Sequence, residues 1–430
     1  MSQPLPRTAD AVVIGAGIVG AYCADALAGA GLTVAVLERH GLAGGTTAAG
    51  EGNILVSDKE LGPELGLALV SNDRWRELGE ELADEEGSDL ELEAKGGLMV
   101  ATTEAGHAAI TELAVLQRAA GVTAEPVDPA AARELEPHLT PDLIGGMAYP
   151  QDQQVQPVKA SAAILRRARR RGATVHPHTR VTALQIDDAG AVLAVATDRG
   201  TIATRTVVNA AGVWSREIAA LAGVDLPVHP RRGQILVTEP LPTLIRRKVY
   251  DADYVATIAS SDPSAPGISS VIEGTRSGTV LIGSSRELVG LDRRPNLPLQ
   301  GAMAARAIEL FPVLADVHLL RTYLGFRPYT PDHLPIIGAD AEVVGLHHAT
   351  GHEGAGIGLA PATGDLIAAL VTGSEPAVDP APFAPDRLSL RPLPDAAAGD
   401  AAAPDVAAGG PAVAPDHAED AALAQDPADV

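Results

Sequence analysis

A short strand, a glycine turn, a helix and a second strand open the chain, and their order leaves little freedom in the fold. Ala11-Val12-Val13-Ile14 is an apolar run suited to a strand buried on both faces. Gly15-Ala16-Gly17-Ile18-Val19-Gly20 follows, then an alanine-rich helical stretch, then Val34-Ala35-Val36-Leu37 ending at Glu38. Gly15 lets the chain turn, Gly17 carries no side chain to hold a pyrophosphate away from the helix N-terminus, and Gly20 lets helix and strand pack closely. The helix end offers unpaired N–H groups and positive dipole to phosphates. Glu38 stands where a carboxylate accepts both ribose hydroxyls of an unphosphorylated adenosine and repels a 2′-phosphate. The unit predicts dinucleotide binding and by itself does not separate NAD from FAD.

With 430 residues, 46 % of them hydrophobic, the chain is long enough for two domains with a large core. No apolar run long enough to span a membrane and no signal-peptide pattern is found, so a cytoplasmic protein is expected. Its arginine-over-lysine and alanine bias suggests a GC-rich bacterial genome. The single cysteine, Cys23, falls in the first helix and excludes an intramolecular disulfide or iron–sulfur site within this chain. A net charge of −23 argues against a nucleic-acid partner despite Arg166, Arg167, Arg169, Arg170 and Arg171, which are expected to form a solvated helix end before Gly172.

Farther along, Gly44-Gly45-Thr46-Thr47-Ala48-Ala49-Gly50-Glu51-Gly52-Asn53 is a small-residue loop whose hydroxyls and amides suit phosphate and ring contacts. Helices are predicted over 64–86, 104–120, 129–135 and 157–171. Strands are predicted at 97–101, 174–176, 181–184 and 206–211, the last ending at Gly212. From 228 to 327 short runs with period-two alternation predict a mixed or antiparallel sheet, interrupted by a helix over 299–310. Gly351-His352-Glu353-Gly354-Ala355-Gly356-Ile357-Gly358 then opens an apolar helix. Past Phe383 the composition falls to Ala, Pro, Asp and Gly, which cannot offset ordering entropy.

These segments resemble the D-amino-acid oxidase-like family of FAD-dependent oxidoreductases, which includes glycine oxidase, sarcosine oxidase and D-amino acid dehydrogenase. The resemblance covers residues 9–375 and rests on Val36-Leu37-Glu38-Arg39, Val208-Asn209-Ala210-Ala211-Gly212-Val213-Trp214-Ser215, Arg232-Gly233-Gln234 and Gly325-Phe326-Arg327-Pro328. Together, the two glycine motifs imply FAD rather than NAD. Gly351-His352-Glu353-Gly354, Gly358-Leu359-Ala360-Pro361-Ala362-Thr363-Gly364 and the stretch 50–59 look most like the beta subunits of D-hydroxyproline dehydrogenase, opine oxidase and hydrogen cyanide synthase.

The resemblance implies an α/β fold: a Rossmann-like FAD-binding domain (5–90, 151–225 and 328–383), a mixed or antiparallel substrate domain (91–150 and 226–327), and a disordered acidic tail (384–430). Its implied cofactor contacts are Gly15, Gly17, Ile18, Val19, Gly20, Glu38, Arg39, Gly45, Thr46, Thr47, Gly50, Gly52, Asn53, Val181, Ala211, Gly212, Trp214, Gly233, Gly351, Glu353, Gly354, Ala355, Gly356 and Ile357. No metal site is expected. Attachment is expected to be non-covalent: Cys23 lies on the adenosine side, and Ala48 and Ala49 stand where related enzymes carry a flavin-linked histidine.

Amine oxidation by a flavin needs anchors more than a catalytic triad. Arg327 matches the position that holds the substrate carboxylate, an arginine's bidentate task, and an extended 323–329 segment would put Tyr323, Arg327 and Tyr329 on one face. Tyr254 and Tyr250 lie where relatives place a tyrosine over the substrate, and His352 is expected to touch substrate or cofactor. A helix beginning near Pro361 is expected to aim its N-terminal amides at the flavin. Gly354 replaces an arginine of glycine oxidase, which leaves room for a bulkier or cyclic amino acid. The expected activity is oxidation of a small imino, N-alkylated or D-amino acid, with partner redox subunits carrying FAD or iron–sulfur centres. Alternatives are 2-hydroxy acid oxidation on the same scaffold, or a non-catalytic FAD subunit of a multi-subunit dehydrogenase.

Overall fold

The computed structural model describes residues 4–86, 89–252, 267–387 and Leu390. Its first sheet has six strands in the order Ile336–Ala339, Leu346–Thr350, Val207–Asn209, Ala11–Ile14, Val34–Leu37 and Thr174–His176. All neighbours pair in parallel except Ile336–Ala339 with Leu346–Thr350. Ala11–Ile14 and Val34–Leu37 are buried along their whole length, as central parallel strands covered on both faces must be.

Eight strands form the second sheet, in the order Leu319–Tyr329, His229–Thr238, Val280–Arg286, Gly267–Gly274, Lys248–Asp251, Gly97–Ala101, Gly145–Tyr149 and Glu125–Val127. Only Lys248–Asp251 with Gly97–Ala101 is parallel. The alternation read in the sequence therefore marks a mixed sheet. The helix Leu297–Leu310 packs on it with Met303, Ala307 and Leu310 buried, and starts two residues earlier than expected because Asn296 caps it, accepting from the Leu299 N–H at 3.2 Å.

Helix Gly356–Thr372 lies against Ile336–Ala339 and Leu346–Thr350 of the first sheet. It packs on Ile18–Gly29 and on the long helix Pro63–Glu86, and small residues permit the approach: a Cβ at Gly364 would stand 2.5 Å from the Tyr22 ring. Pro361 does not open this helix as expected. It lies inside, five residues after the start, where it removes the hydrogen bond that the Ile357 carbonyl would receive. Trp75 of the neighbouring helix supplies the missing donor, its Nε1 donating to the Ile357 carbonyl at 3.0 Å, and beside it Ser71 Oγ donates to the Gly358 carbonyl at 2.6 Å.

Two other expectations change. Arg167 is not part of a solvated helix end. Its guanidinium is buried, donates to Asp25 at 3.1 Å and pairs with Glu81, tying three helices together. Nor does packing stop at Phe383: Arg387 donates to Asp332 at 2.7 Å, and Leu390 is buried beside Leu226 and Val228. Residues 391–430 of the expected tail lie outside the described residues.

Candidate active site

The N-terminal turn is built as its glycines require. Gly15 has φ +110°, and a Cβ there would lie 2.4 Å from the Ala210 carbonyl oxygen. A Cβ at Gly20 would lie 2.1 Å from the Gly15 carbonyl oxygen. Gly17 presents bare backbone at the start of Ile18–Gly29 and brings no side-chain cap. The Ile18 N–H instead donates to Thr47 Oγ1 at 3.0 Å, so Val19, Gly20 and the 45–53 loop meet at the helix N-terminus. Glu38 accepts from the backbone N–H groups of Ala16 at 3.0 Å and His40 at 2.8 Å, which fixes its carboxylate at the strand end. Val181 begins a strand two residues after Thr179, whose N–H donates to the Glu38 carbonyl at 2.8 Å.

Beside this turn, the Arg39 guanidinium stacks 4.1 Å from the centre of the Trp214 ring, and a Cβ at Gly45 would lie 3.2 Å from that ring. Ala211 and Gly212 carry the chain from Val207–Asn209 to Trp214. Thr46 donates to the Phe326 carbonyl at 2.6 Å and binds the loop to the second sheet. Gly50 packs under Ile357, and Gly52, at φ +97°, lies where a Cβ would be 1.9 Å from the Val155 carbonyl oxygen. Gly351 has φ +76° and Glu353 φ +47°. They turn the chain through Gly354 and Ala355 into Gly356 and Ile357, whose helix end meets the 50–54 segment. Sequence-distant glycine segments thus converge. The bare turn, uncapped helix end and fixed carboxylate fit a dinucleotide with an unphosphorylated adenosine.

Arg327 lies on Leu319–Tyr329 and shares a face with Tyr323 and Tyr329. Its guanidinium crosses Gly233 on the neighbouring strand, where a Cβ would be 2.1 Å from Nη1, and its Nε lies 3.4 Å from the place of a Cβ on Gly354. Nη1 donates to the Ser285 carbonyl at 2.8 Å and Nη2 to Ser284 Oγ at 3.4 Å. The two glycines make room for the guanidinium, which a polar strand edge orients. A cavity of about 520 Å³ adjoins this face, lined by the 44–51 loop, Trp214, Tyr323, Gly325 and Phe326.

Two expected site residues are buried. Tyr250 is fully buried, and neither it nor Arg327 is among the residues that line that cavity. Its hydroxyl bonds to Asp152 and lies 2.9 Å from Ser57 Oγ, so it braces the 55–58 segment from beneath. Burial pushes its phenol well above the ordinary range. His352 is also buried, Nε2 lies 2.9 Å from Thr363 Oγ1, and burial pushes its imidazole down to about 3, which favours the neutral ring. Tyr254 lies outside the described residues. Cys23 is buried in its helix, with its thiol pushed up to about 12 by burial.

Sequence reading missed a buried polar cluster behind the loop. Lys248, 1 % exposed, pairs with Glu273 and donates to Asn53, whose amide donates to Glu51 at 3.4 Å. Glu51 was visible only as one acid among small residues. Arg231, directly opposite Arg327 across the strand pair, is also buried. It lies 3.6 Å from Glu353, whose carboxylate accepts from His333 Nδ1 at 2.8 Å.

Comparison with known proteins agrees with this architecture. The model of the family described as FAD dependent oxidoreductase matches residues 10–370. The chain is 32 % identical to a glycine oxidase of Geobacillus kaustophilus, over 87 % of this chain and 96 % of that protein. It is 30 % identical to hydrogen cyanide synthase subunit HcnC of Pseudomonas aeruginosa, over 90 % and 98 %. The crystal structure of L-proline dehydrogenase from P. horikoshii superposes with a TM-score of 0.79 at 26 % identity, covering 89 % of this chain and 98 % of that one.

Proposed function

This chain belongs to the family of FAD-dependent oxidoreductases, and on that premise we propose that it oxidises the C–N bond of a small imino, N-alkylated or D-amino acid by hydride transfer to N5 of the flavin. The observation that carries the reading is Arg327, lying across Gly233 and beside Gly354, with its fork oriented by Ser284 and Ser285. Such a guanidinium suits a substrate carboxylate.

When bound, FAD supplies the two-electron acceptor. In this reading Gly15, Gly17 and the amides of Val19 and Gly20 hold the pyrophosphate, Glu38 holds the adenosine ribose, and the 45–53 and 351–357 loops hold the remainder. Arg327 fixes the substrate carboxylate, which sets where the carbon bearing nitrogen must lie. Tyr323 and Phe326 line the approach. Gly354 leaves space for a substituted or cyclic substrate. The similarity to a subunit of hydrogen cyanide synthase supports a partner redox subunit as the electron acceptor.

Replacement of Arg327 tests the assignment. Arg327→Ala should raise KM for carboxylated substrates at least about tenfold, the loss of a charge-assisted hydrogen bond, and Arg327→Lys should recover only part of it. An unchanged KM removes the assignment.

A further inference from the structure

Glu51 is the one acid in the 44–53 loop and only 9 % exposed. Burial of a carboxylate is costly unless its oxygens are bonded. One oxygen, Oε2, accepts from the Asn53 amide at 3.4 Å, whereas Oε1 has no hydrogen-bond partner and faces Gly283, where a Cβ would be 2.3 Å away. The arrangement is enforced from behind. Lys248, held by Glu273, can only donate, so it takes the Asn53 carbonyl oxygen and turns the Asn53 NH₂ toward Glu51. Half-buried Asn53, with buried Lys248 and Glu273 behind it, therefore fixes the carboxylate and leaves Oε1 without a hydrogen-bond partner.

Glu51 also stands in the right quarter. Glu51 lines the cavity together with Tyr323, and the strand it abuts at Gly283 continues into Ser284 and Ser285, the two residues that orient Arg327. An α-amino acid with its carboxylate on Arg327 carries its nitrogen two bonds away. At neutral pH that nitrogen is an ammonium, with no lone pair to assist loss of a hydride. We propose that Glu51 is the catalytic base that accepts the ammonium proton of the substrate whose carboxylate Arg327 holds. The inference rests on the amine-oxidising reading above.

In this step an N–H bond of the ammonium breaks and its proton passes to Oε1. The Cα–H bond then breaks, its electron pair and hydrogen leave for the flavin oxidant, and the nitrogen lone pair closes the C=N bond. The substrate loses two electrons and the flavin gains two. Protonated Glu51 returns its proton to water through the cavity it lines. Desolvation pushes the Glu51 carboxyl above its ordinary range, opposed by Lys248 and Arg327 and reinforced by Glu273, which makes it a better proton acceptor than an exposed glutamate. Tyr323, the remaining titratable neighbour, has its phenol held up by burial and by the acids and stays neutral.

The test compares FAD-loaded wild type with Glu51→Gln, which keeps the size and the acceptor for Asn53. Two probes are used: sarcosine, glycine and D-proline as oxidisable ammonium substrates, and methoxyacetate, a carboxylate with an ether oxygen in place of the nitrogen. Methoxyacetate should perturb the flavin spectrum of both proteins with dissociation constants within about twofold. Anaerobic bleaching at pH 7 should fall at least about 100-fold in the variant, and the gap should close above about pH 10, where the free amine needs no base. Equal bleaching with the same pH profile overturns the proposal, and so does lost methoxyacetate binding, which marks a structural role. If Glu51→Gln does not retain FAD, Glu51→Asp is read instead: a slowed rate that high pH restores supports the base, and a pH-independent loss overturns it. If wild type binds methoxyacetate but no amine bleaches it, the amine-oxidising reading itself fails and takes the base with it.

Discussion

Trp75 donates its indole N–H to the carbonyl of Ile357, the group that Pro361 leaves without a partner four residues on. A proline inside a helix is thereby accommodated by a residue almost three hundred positions away. That end of the helix is the one that meets the 50–54 loop. Trp75→Phe retains most of the ring and leaves that buried carbonyl unbonded. It should lower unfolding free energy by about 1 to 3 kcal/mol and weaken FAD retention, as read by denaturant unfolding and by FAD release on gel filtration. Unchanged stability would show that the bond is dispensable.

Gly233 is predicted to act on the substrate through Arg327. The Cβ of Gly233→Ala would fall 2.1 Å from Nη1 and must displace the guanidinium. Apparent affinity for carboxylates should fall several-fold, read by flavin spectral titration with methoxyacetate, and an unchanged affinity would contradict the coupling.

His333 should make cofactor binding depend on pH. Its hydrogen bond to Glu353 raises its proton affinity above the ordinary 6.5, against burial and the nearby Arg231. A raised histidine stabilises the folded arrangement fully below the unfolded value, and the contribution disappears as pH rises through the folded one. Order in the 351–357 loop, and with it FAD affinity, should therefore weaken as pH increases from about 6.5 through the raised value. His333→Gln should flatten that dependence, measured by fluorescence titration of the apoprotein with FAD.

Arg167→Ala leaves Asp25, itself 1 % exposed, stripped of its buried partner. Breaking a buried ion pair from one side costs about 3 to 5 kcal/mol. The variant should unfold at markedly lower denaturant concentration, and Arg167→Lys should restore only part of the loss because it lacks the fork that spans Asp25 and Glu81.

The features legible in the sequence are those set locally. Gly15, Gly17, Gly20 and Glu38 are fixed by turn geometry and strand ends within thirty residues, and period-two alternation marked the second sheet. Long-range contacts decided the rest. The charge on Arg167 reads as a surface residue until Asp25 and Glu81 are brought to it, and His352 reads as a ligand until the following helix buries it against Thr363. Pro361 reads as a helix start by its ordinary preference, because the donor that permits it inside comes from distant Trp75. Glu51 was passed over because a loop of small residues does not reveal that Asn53, Lys248 and Glu273 will close behind it.

Purifying the chain, recording its visible spectrum, and titrating it without oxygen with D-proline, trans-4-hydroxy-D-proline, sarcosine, glycine and D-alanine decides the activity. The protein should be yellow, be bleached by at least one of these, and release its FAD on denaturation. Re-admitted air restores the colour quickly in an oxidase and slowly in a dehydrogenase. A yellow protein that no amino or imino acid bleaches, with or without partner subunits, contradicts the proposed activity.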